Sequence, residues 1–233
     1  GEARSFTDEM QQGLRRSALE RLLSQVAQAT QITQRNLERA LDLVSSFKQV
    51  AVDQTSAQRR SFALEEVVRE IMLTLKPTIS RTRHQVTAEI PPDIELDSYP
   101  GALGQILTNL VSNALVHGLG EQAGTGGVIR IEAERLDKHS VRLSVRDNGA
   151  GIAPDLLPRV FDPFVTTRMG RGGTGLGLNI AYNLARNVLG GGLSVSSAPG
   201  HGACFELQMP CTAPLNSSHR AAPTPGSTLD FCA

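Results

Sequence analysis

Gly104-Gln-Ile-Leu-Thr-Asn-Leu-Val-Ser-Asn-Ala-Leu-Val-His-Gly118 decides how the rest of this chain is read. It sets Asn109, Asn113 and His117 at successive four-residue steps, and on a helix that spacing stacks all three on one face. Ile106, Leu107, Leu110, Val111, Ala114 and Leu115 occupy the other faces, so the spacing predicts a helix buried on nearly every side except the polar stripe. A buried polar stripe needs a partner. A carboxamide oxygen is a hard donor that suits Mg²⁺, an ion usually held by few side chains together with phosphate oxygens and water. The alternative is that Asn109 and Asn113 cap neighbouring loops, and the stretch alone leaves both open.

Asp147-Asn-Gly-Ala-Gly-Ile152 follows directly on an alternating run, Val141-Arg-Leu-Ser-Val145. An aspartate at a strand end, buried by its neighbours, accepts a hydrogen bond from an exocyclic amine such as adenine N6; guanine presents a carbonyl oxygen there and is repelled. Gly149 and Gly151 leave room for a flat ring against backbone. An ordinary Asp-Asn-Gly turn is the competing reading. Further on, Phe161 and Phe164 stand three apart within Arg159-Val-Phe-Asp-Pro-Phe-Val-Thr-Thr-Arg168, helical spacing that predicts an apolar anchor for the segment beyond. That segment, Met169-Gly-Arg-Gly-Gly-Thr-Gly-Leu-Gly-Leu178, is too glycine-rich to pack a core but brings backbone N–H groups close to an anion. It runs into a helix beginning near Leu176, whose positive end faces the same place, so phosphate is the expected occupant; a flexible linker is the bland alternative. Gly200-His-Gly-Ala-Cys-Phe-Glu-Leu then opens the last strand from a tight turn.

The surroundings agree with a local site rather than a global field. The 233 residues carry 23 Lys+Arg against 23 Asp+Glu, which argues against nucleic acid or an anionic membrane surface as partner. No run of eighteen apolar residues exists and no signal peptide opens the chain, so no membrane segment is expected here. Cys204, Cys211 and Cys232 lack paired metal-ligand spacing and are odd in number, for which a reducing cytoplasm is the simplest setting. Gly 22 against Trp 0 and Tyr 2 points to backbone rather than aromatic surface as the binding element.

Residues from about Met10 to Gln54 read as a long helix with an apolar seam through Leu19, Leu22, Leu23, Val26, Leu37, Leu41, Val44 and Phe47, and a helix of that kind wants a hairpin partner or a second copy of itself. A polar middle at Gln28–Gln34 weakens the seam. A second helix is expected from Phe62 to about Ser80, a strand at His84–Ile90, a short extended piece near Ile94–Leu96, strands at Val128–Leu136 and Val141–Val145, a helix at Leu176–Leu189, and strands at Leu193–Ser197 and Ala203–Met209. Helices gathered on one face of a mixed sheet make an α+β two-layer sandwich. Residues 1–58 form the helical segment in this reading, 59–211 the main domain, and 212–233 a tail without apolar periodicity, expected to be disordered.

In sequence order the four stretches resemble the asparagine box, first glycine box, phenylalanine box and second glycine box of sensor histidine kinases in the GHKL nucleotide-binding superfamily, over about residues 60 to 210. The resemblance implies the Bergerat ATP-binding fold and a phosphotransfer enzyme using ATP and Mg²⁺. Asn113 would hold the metal, Asn109 would lie near metal and γ-phosphate, His117 would touch phosphate and Asp147 would read the adenine amine. Gly149, Gly151, Ile152, Phe161, Phe164, Thr166, Thr167, Arg168, Gly173, Thr174, Gly175, Leu176, Gly177, Leu178 and Ala203 would complete the surroundings of ATP or ADP and its lid. Arg168 or Arg171 would offset phosphate charge. The γ-phosphoryl group would pass to a histidine on a dimerisation hairpin and then to an aspartate on a response-regulator receiver domain.

Three departures bound what the resemblance carries. Where the ATP-hydrolysing relatives hold a glutamate that activates water, this chain has Asn109, and an amide cannot act as that base. Ala203 stands where many members have threonine. No histidine occupies the phosphoacceptor position: His84, His117, His139, His201 and His219 all lie elsewhere, and Met10–Phe47 resembles the second hairpin helix. The expectation is a piece of a longer cytoplasmic kinase, with or without a membrane anchor in the parent, that dimerises through this helix. A nucleotide-binding module without transfer activity is the alternative.

Overall fold

The computed structural model describes residues 21–34, 58–120, 126–167 and 174–215. Helix α1 spans 21–34 and every residue in it is exposed, Leu22, Leu23, Val26 and Ile32 included. The remainder of the expected Met10–Gln54 helix lies outside the described residues.

The main domain is two layers. Strands β2 (Gln85–Glu89), β4 (Val128–Arg135), β5 (Ser140–Asp147), β6 (Gly192–Ser197) and β7 (Ala203–Pro210) form one sheet in the order β2-β4-β5-β7-β6, in which only the β2/β4 pair is parallel. Helices α2 (Leu64–Ile79), α3 (Pro100–Asn113) and α4 (Gly177–Asn187) cover it, with α3 between the other two. The arrangement follows from side-chain periods. In β4 and β5, Ile129, Ile131, Val141, Leu143 and Val145 are buried while Arg130, Glu132, Arg142 and Arg146 alternate toward the other face, as a half-wet sheet requires. In α3, Ala102, Leu103, Ile106, Leu107, Leu110 and Val111 are buried, leaving the Asn109–Asn113 edge as the polar stripe. Pro100 opens that helix at its first turn, where a missing N–H costs nothing.

Three boundaries differ from expectation. Arg60–Ala63 is a strand, β1, pairing antiparallel with β3 (Glu95–Ser98), so the second helix starts at Leu64 rather than Phe62. Four residues are too few to show a period of two before the helical pattern takes over. The extended piece near Ile94–Leu96 is the same β3, moved one residue later. Finally, the domain does not stop at residue 211. Thr212 bridges to Asp97, Ala213 donates its N–H to the Asp97 carbonyl at 2.9 Å and is 1% exposed, and Tyr99 Oη donates to the Pro214 carbonyl at 3.1 Å. Residues 216–233, most of the expected tail, lie outside the described residues. On the other side of β3, the Arg59 guanidinium grips both carboxylate oxygens of Asp97.

Candidate functional site

Helix α3 does not end as an α-helix. Ala114–Leu119 continues it as a π-helical turn, and a π segment inside a helix often marks a functional site. The wider turn carries His117 and Gly118 off the straight α register while keeping both on the wall of a cleft of about 390 Å³, within the usual range for small-ligand sites. Asn109, Asn113 and His117 all line it. Asp147, at the end of β5, lines it too, as do Gly151, Ile152, Thr166, Thr167, Thr174, Gly175, Gly177, Leu178 and Ala203.

Asp147 is one of two buried polar residues among the described residues, at 4% exposure. Its Oδ1 accepts the Gly149 N–H at 2.9 Å and the Ala203 N–H at 3.3 Å. Burial pushes the carboxyl above the ordinary carboxylate range, and the two backbone donors only partly offset that. Oδ2 takes no donor among the described residues, so the carboxylate has one oxygen fixed and one available. Close backbone packing supports this. A Cβ at Gly118 would lie 2.8 Å from Asp147 Oδ1, and one at Gly202 (φ +70) would run into the Asp147 carbonyl. Leu156, Val160 and Ile152 give the cleft an apolar flank.

The other end is polar. Asn109 Oδ1 accepts from Gln105 Nε2 at 3.4 Å, while Asn109 Nδ2 is buried without a partner. A buried orphan donor on a residue that lines a cleft is a group that a bound acceptor would satisfy once the side chain turns toward it. Gly177, the first residue of α4, stands against it: a Cβ there would sit 3.6 Å from Asn109 Oδ1. No side chain caps α4, so its first-turn N–H groups open toward the same space. Across the mouth, His117 Nδ1 and Thr167 Oγ1 lie 2.9 Å apart, joining the π turn to the base of the glycine-rich segment.

Four expected residues do not line the cleft. Gly149 shapes it from behind by donating to Asp147, and Leu176 is buried beside it. The two phenylalanines separate. Phe161 packs on the core, stacked on Tyr182 at 5.0 Å and edge-on to Phe205 at 6.4 Å; Phe164 is 53% exposed with φ +67. They are not an anchoring pair on one helical face, because the chain turns at Asp162-Pro163 instead of coiling. Phe161 anchors, whereas Phe164 contributes its N–H to the Gly175 carbonyl at 2.8 Å. Arg168, Arg171 and Gly173 lie outside the described residues. Sequence reasoning missed Ser112, Val116, Gly118, Ala153, Leu156, Val160 and Val165 on the cleft wall. Ser112 and Val116 were accessible in principle, three residues beyond Asn109 and Asn113 on the asparagine face; Gly118 reaches the wall only through the π turn, and the others sit on irregular backbone without periodicity.

Comparison with known proteins agrees with this geometry. The family described as histidine kinase-, DNA gyrase B- and HSP90-like ATPase matches residues 99–213. The two-component sensor PprA of Pseudomonas aeruginosa is 37% identical over 139 residues, 58% of this chain and 15% of its own. The nucleotide-free catalytic domain of histidine kinase ThkA superposes with a TM-score of 0.58 at 29% identity, covering 66% of this chain and 97% of that domain. Full-length ShkA, solved in complex with AMPPNP, gives 0.54 at 30% identity over 65% of this chain and 31% of its own. The chain thus spans a small part of the full-length relatives it matches. Residues 99–213 thus match the histidine kinase-, DNA gyrase B- and HSP90-like ATPase family, and that part of the chain is homologous to the ATP-binding catalytic domains of sensor histidine kinases.

Proposed function

We propose that this chain donates the γ-phosphoryl group of ATP to a histidine on a dimerisation hairpin, for relay to an aspartate of a response-regulator receiver domain. The observation that carries the reading is the placement, on one cleft, of an amine-accepting carboxylate at one end and the Asn109–Asn113 edge with the uncapped start of α4 at the other. Asp147 Oδ2 holds the adenine amine. Asn109 Nδ2 and the first-turn amides of α4 hold phosphate oxygens, and Thr174 and Gly175 close over them. Asn109, being an amide, takes no proton from water, so the bound triphosphate waits for an acceptor instead of hydrolysing.

The residues fit a Mg²⁺ ion. The Asn113 carboxamide lines the cleft and makes no hydrogen bond among the described residues, leaving its hard oxygen available. No cluster of three or more acidic, histidine or cysteine side chains among the described residues could hold a metal alone, so Asn113 would share the ion with phosphate. When bound, Mg²⁺ would neutralise charge on the phosphate oxygens.

Helix α1, residues 21–34, belongs to the second hairpin helix in this proposal, and its exposed Leu22, Leu23 and Val26 edge is what a helical partner would cover. No described helix is long and apolar enough to cross a membrane, and use of ATP puts the domain on the cytoplasmic side. The test is to mix the full chain with an acceptor hairpin and γ-labelled ATP. Label moving to the hairpin's histidine supports the kinase; tight ATP binding without transfer supports a regulatory module and overturns it.

A further inference from the structure

Ser197, the last residue of β6, does not line the cleft, yet its hydroxyl joins the two loops that do. Ser197 Oγ accepts the Ile152 N–H at 2.9 Å and donates to the Gly202 carbonyl at 2.6 Å. Both contacts act through rigid peptide planes. The plane whose carbonyl belongs to Gly202 carries at its opposite end the Ala203 N–H, and that group holds Asp147 Oδ1 at 3.3 Å. The plane whose N–H belongs to Ile152 begins at Gly151, and both residues line the cleft. Gly151 has φ +73 and a Cβ on it would strike the Ala198 carbonyl, so the loop passes here too tightly for another side chain to intervene. Around the hydroxyl, backbone bonds tie the same loops together: Gly200 N–H to the Ala150 carbonyl at 2.7 Å and Gly202 N–H to the Gly149 carbonyl at 3.0 Å.

We infer that Ser197 is a positioning residue for the base end of the site: by fixing the Gly202–Ala203 and Gly151–Ile152 peptide planes it aims the Asp147 carboxylate and sets the wall against which the purine lies. A hydroxyl is the smallest side chain that donates and accepts at one point, and both backbone groups need it. With alanine there, a carbonyl and an N–H lose their partners, the Gly202–Ala203 plane is free to tilt, and Asp147 loses the alignment of one of its two donors. This rests on the adenine reading of Asp147 proposed above, and the experiment separates the two.

The full chain, as wild type, Ser197→Ala, Ser197→Thr and Asp147→Asn, is titrated calorimetrically with Mg²⁺ and, in turn, ATP, GTP and inorganic tripolyphosphate. Circular dichroism verifies folding. Ser197→Ala should weaken ATP by about tenfold, leave tripolyphosphate within about twofold of wild type, and narrow the ATP-over-GTP preference; Ser197→Thr, which keeps the hydroxyl, should restore it. A folded Ser197→Ala with wild-type preference overturns the inference, as does equal loss of all three ligands, which would mark a general structural effect. If Ser197→Ala does not fold, Ser197→Cys, with its weak S–H donor, takes its place and should fall between alanine and wild type; a wild-type preference there overturns the inference equally. Loss of preference in Asp147→Asn but not at Ser197 removes the positioning role alone, while unchanged preference in Asp147→Asn removes the base reading beneath it.

Discussion

Replacing Asp147 by Asn changes one oxygen for an NH₂ and alters little else in shape. In the folded chain Oδ1 is taken by the Gly149 and Ala203 N–H groups, so the asparagine carbonyl oxygen must stay there and the new NH₂ must take the place of Oδ2. On the proposed adenine reading two donors then face each other, the asparagine NH₂ and the adenine amine. A charge-assisted hydrogen bond of about 1.5–3 kcal/mol is lost, which corresponds to roughly 10- to 100-fold in ATP affinity. GTP should respond oppositely, holding or gaining affinity, because guanine O6 accepts from the new donor. Stability should move the other way from ATP affinity. Burial raises the folded carboxyl above its unfolded value, so the unfolded chain ionises first. Stability therefore falls as pH rises from the ordinary carboxylate range through the raised value, and the cost remains in full above it. Asn removes that cost, so thermal unfolding at neutral pH should be unchanged or higher. Calorimetric titration with ATP and GTP, beside thermal unfolding without nucleotide, reads all three. ATP affinity within twofold of wild type, or ATP and GTP falling together, would refute the reasoning.

The same carboxyl predicts a pH profile: as pH falls through its raised value Asp147 takes up a proton and ATP affinity drops, beginning at a higher pH than an ordinary surface carboxylate would give, and Asp147→Asn should flatten that limb in a fluorescence-displacement titration. Asn113→Ala should leave stability unchanged, since the side chain bonds nothing among the described residues, while erasing the difference between ATP titrations with and without Mg²⁺. Phe161→Ala removes a ring stacked on Tyr182 and should cost about 3 kcal/mol in urea denaturation, whereas Phe164→Gly relieves a left-handed, exposed residue and should gain up to about 1 kcal/mol.

What the sequence disclosed and what it hid divide along physical lines. Strands β4 and β5 were legible because Ile129, Ile131, Val141, Leu143 and Val145 alternate with charge, and α3 because its apolar residues leave one stripe. The π turn at Ala114–Leu119 was not, since Ala114, Leu115 and His117 continue an ordinary helical spacing and the widened turn comes from how the helix end packs. Phe161 and Phe164 deceived for a related reason: spacing of three is shared by helices and by turns, and only the backbone at Asp162-Pro163 separates them. Asp147 was identifiable from its strand-end position, but the Ala203 contribution is a backbone N–H, which no side-chain reading finds. Ser197 gave no signal at all, being one of three serines in Ser194–Ser197.

A structure of the chain with Mg²⁺ and a non-hydrolysable ATP analogue tests the central claim most directly. The account predicts the adenine amine within hydrogen-bonding distance of Asp147 Oδ2, the metal about 2.0–2.1 Å from Asn113 Oδ1, and phosphate oxygens on Asn109 Nδ2 and the first turn of α4. A nucleotide bound elsewhere, or one whose base lies away from Asp147 while its phosphates avoid the Asn109–Asn113 edge, would contradict it.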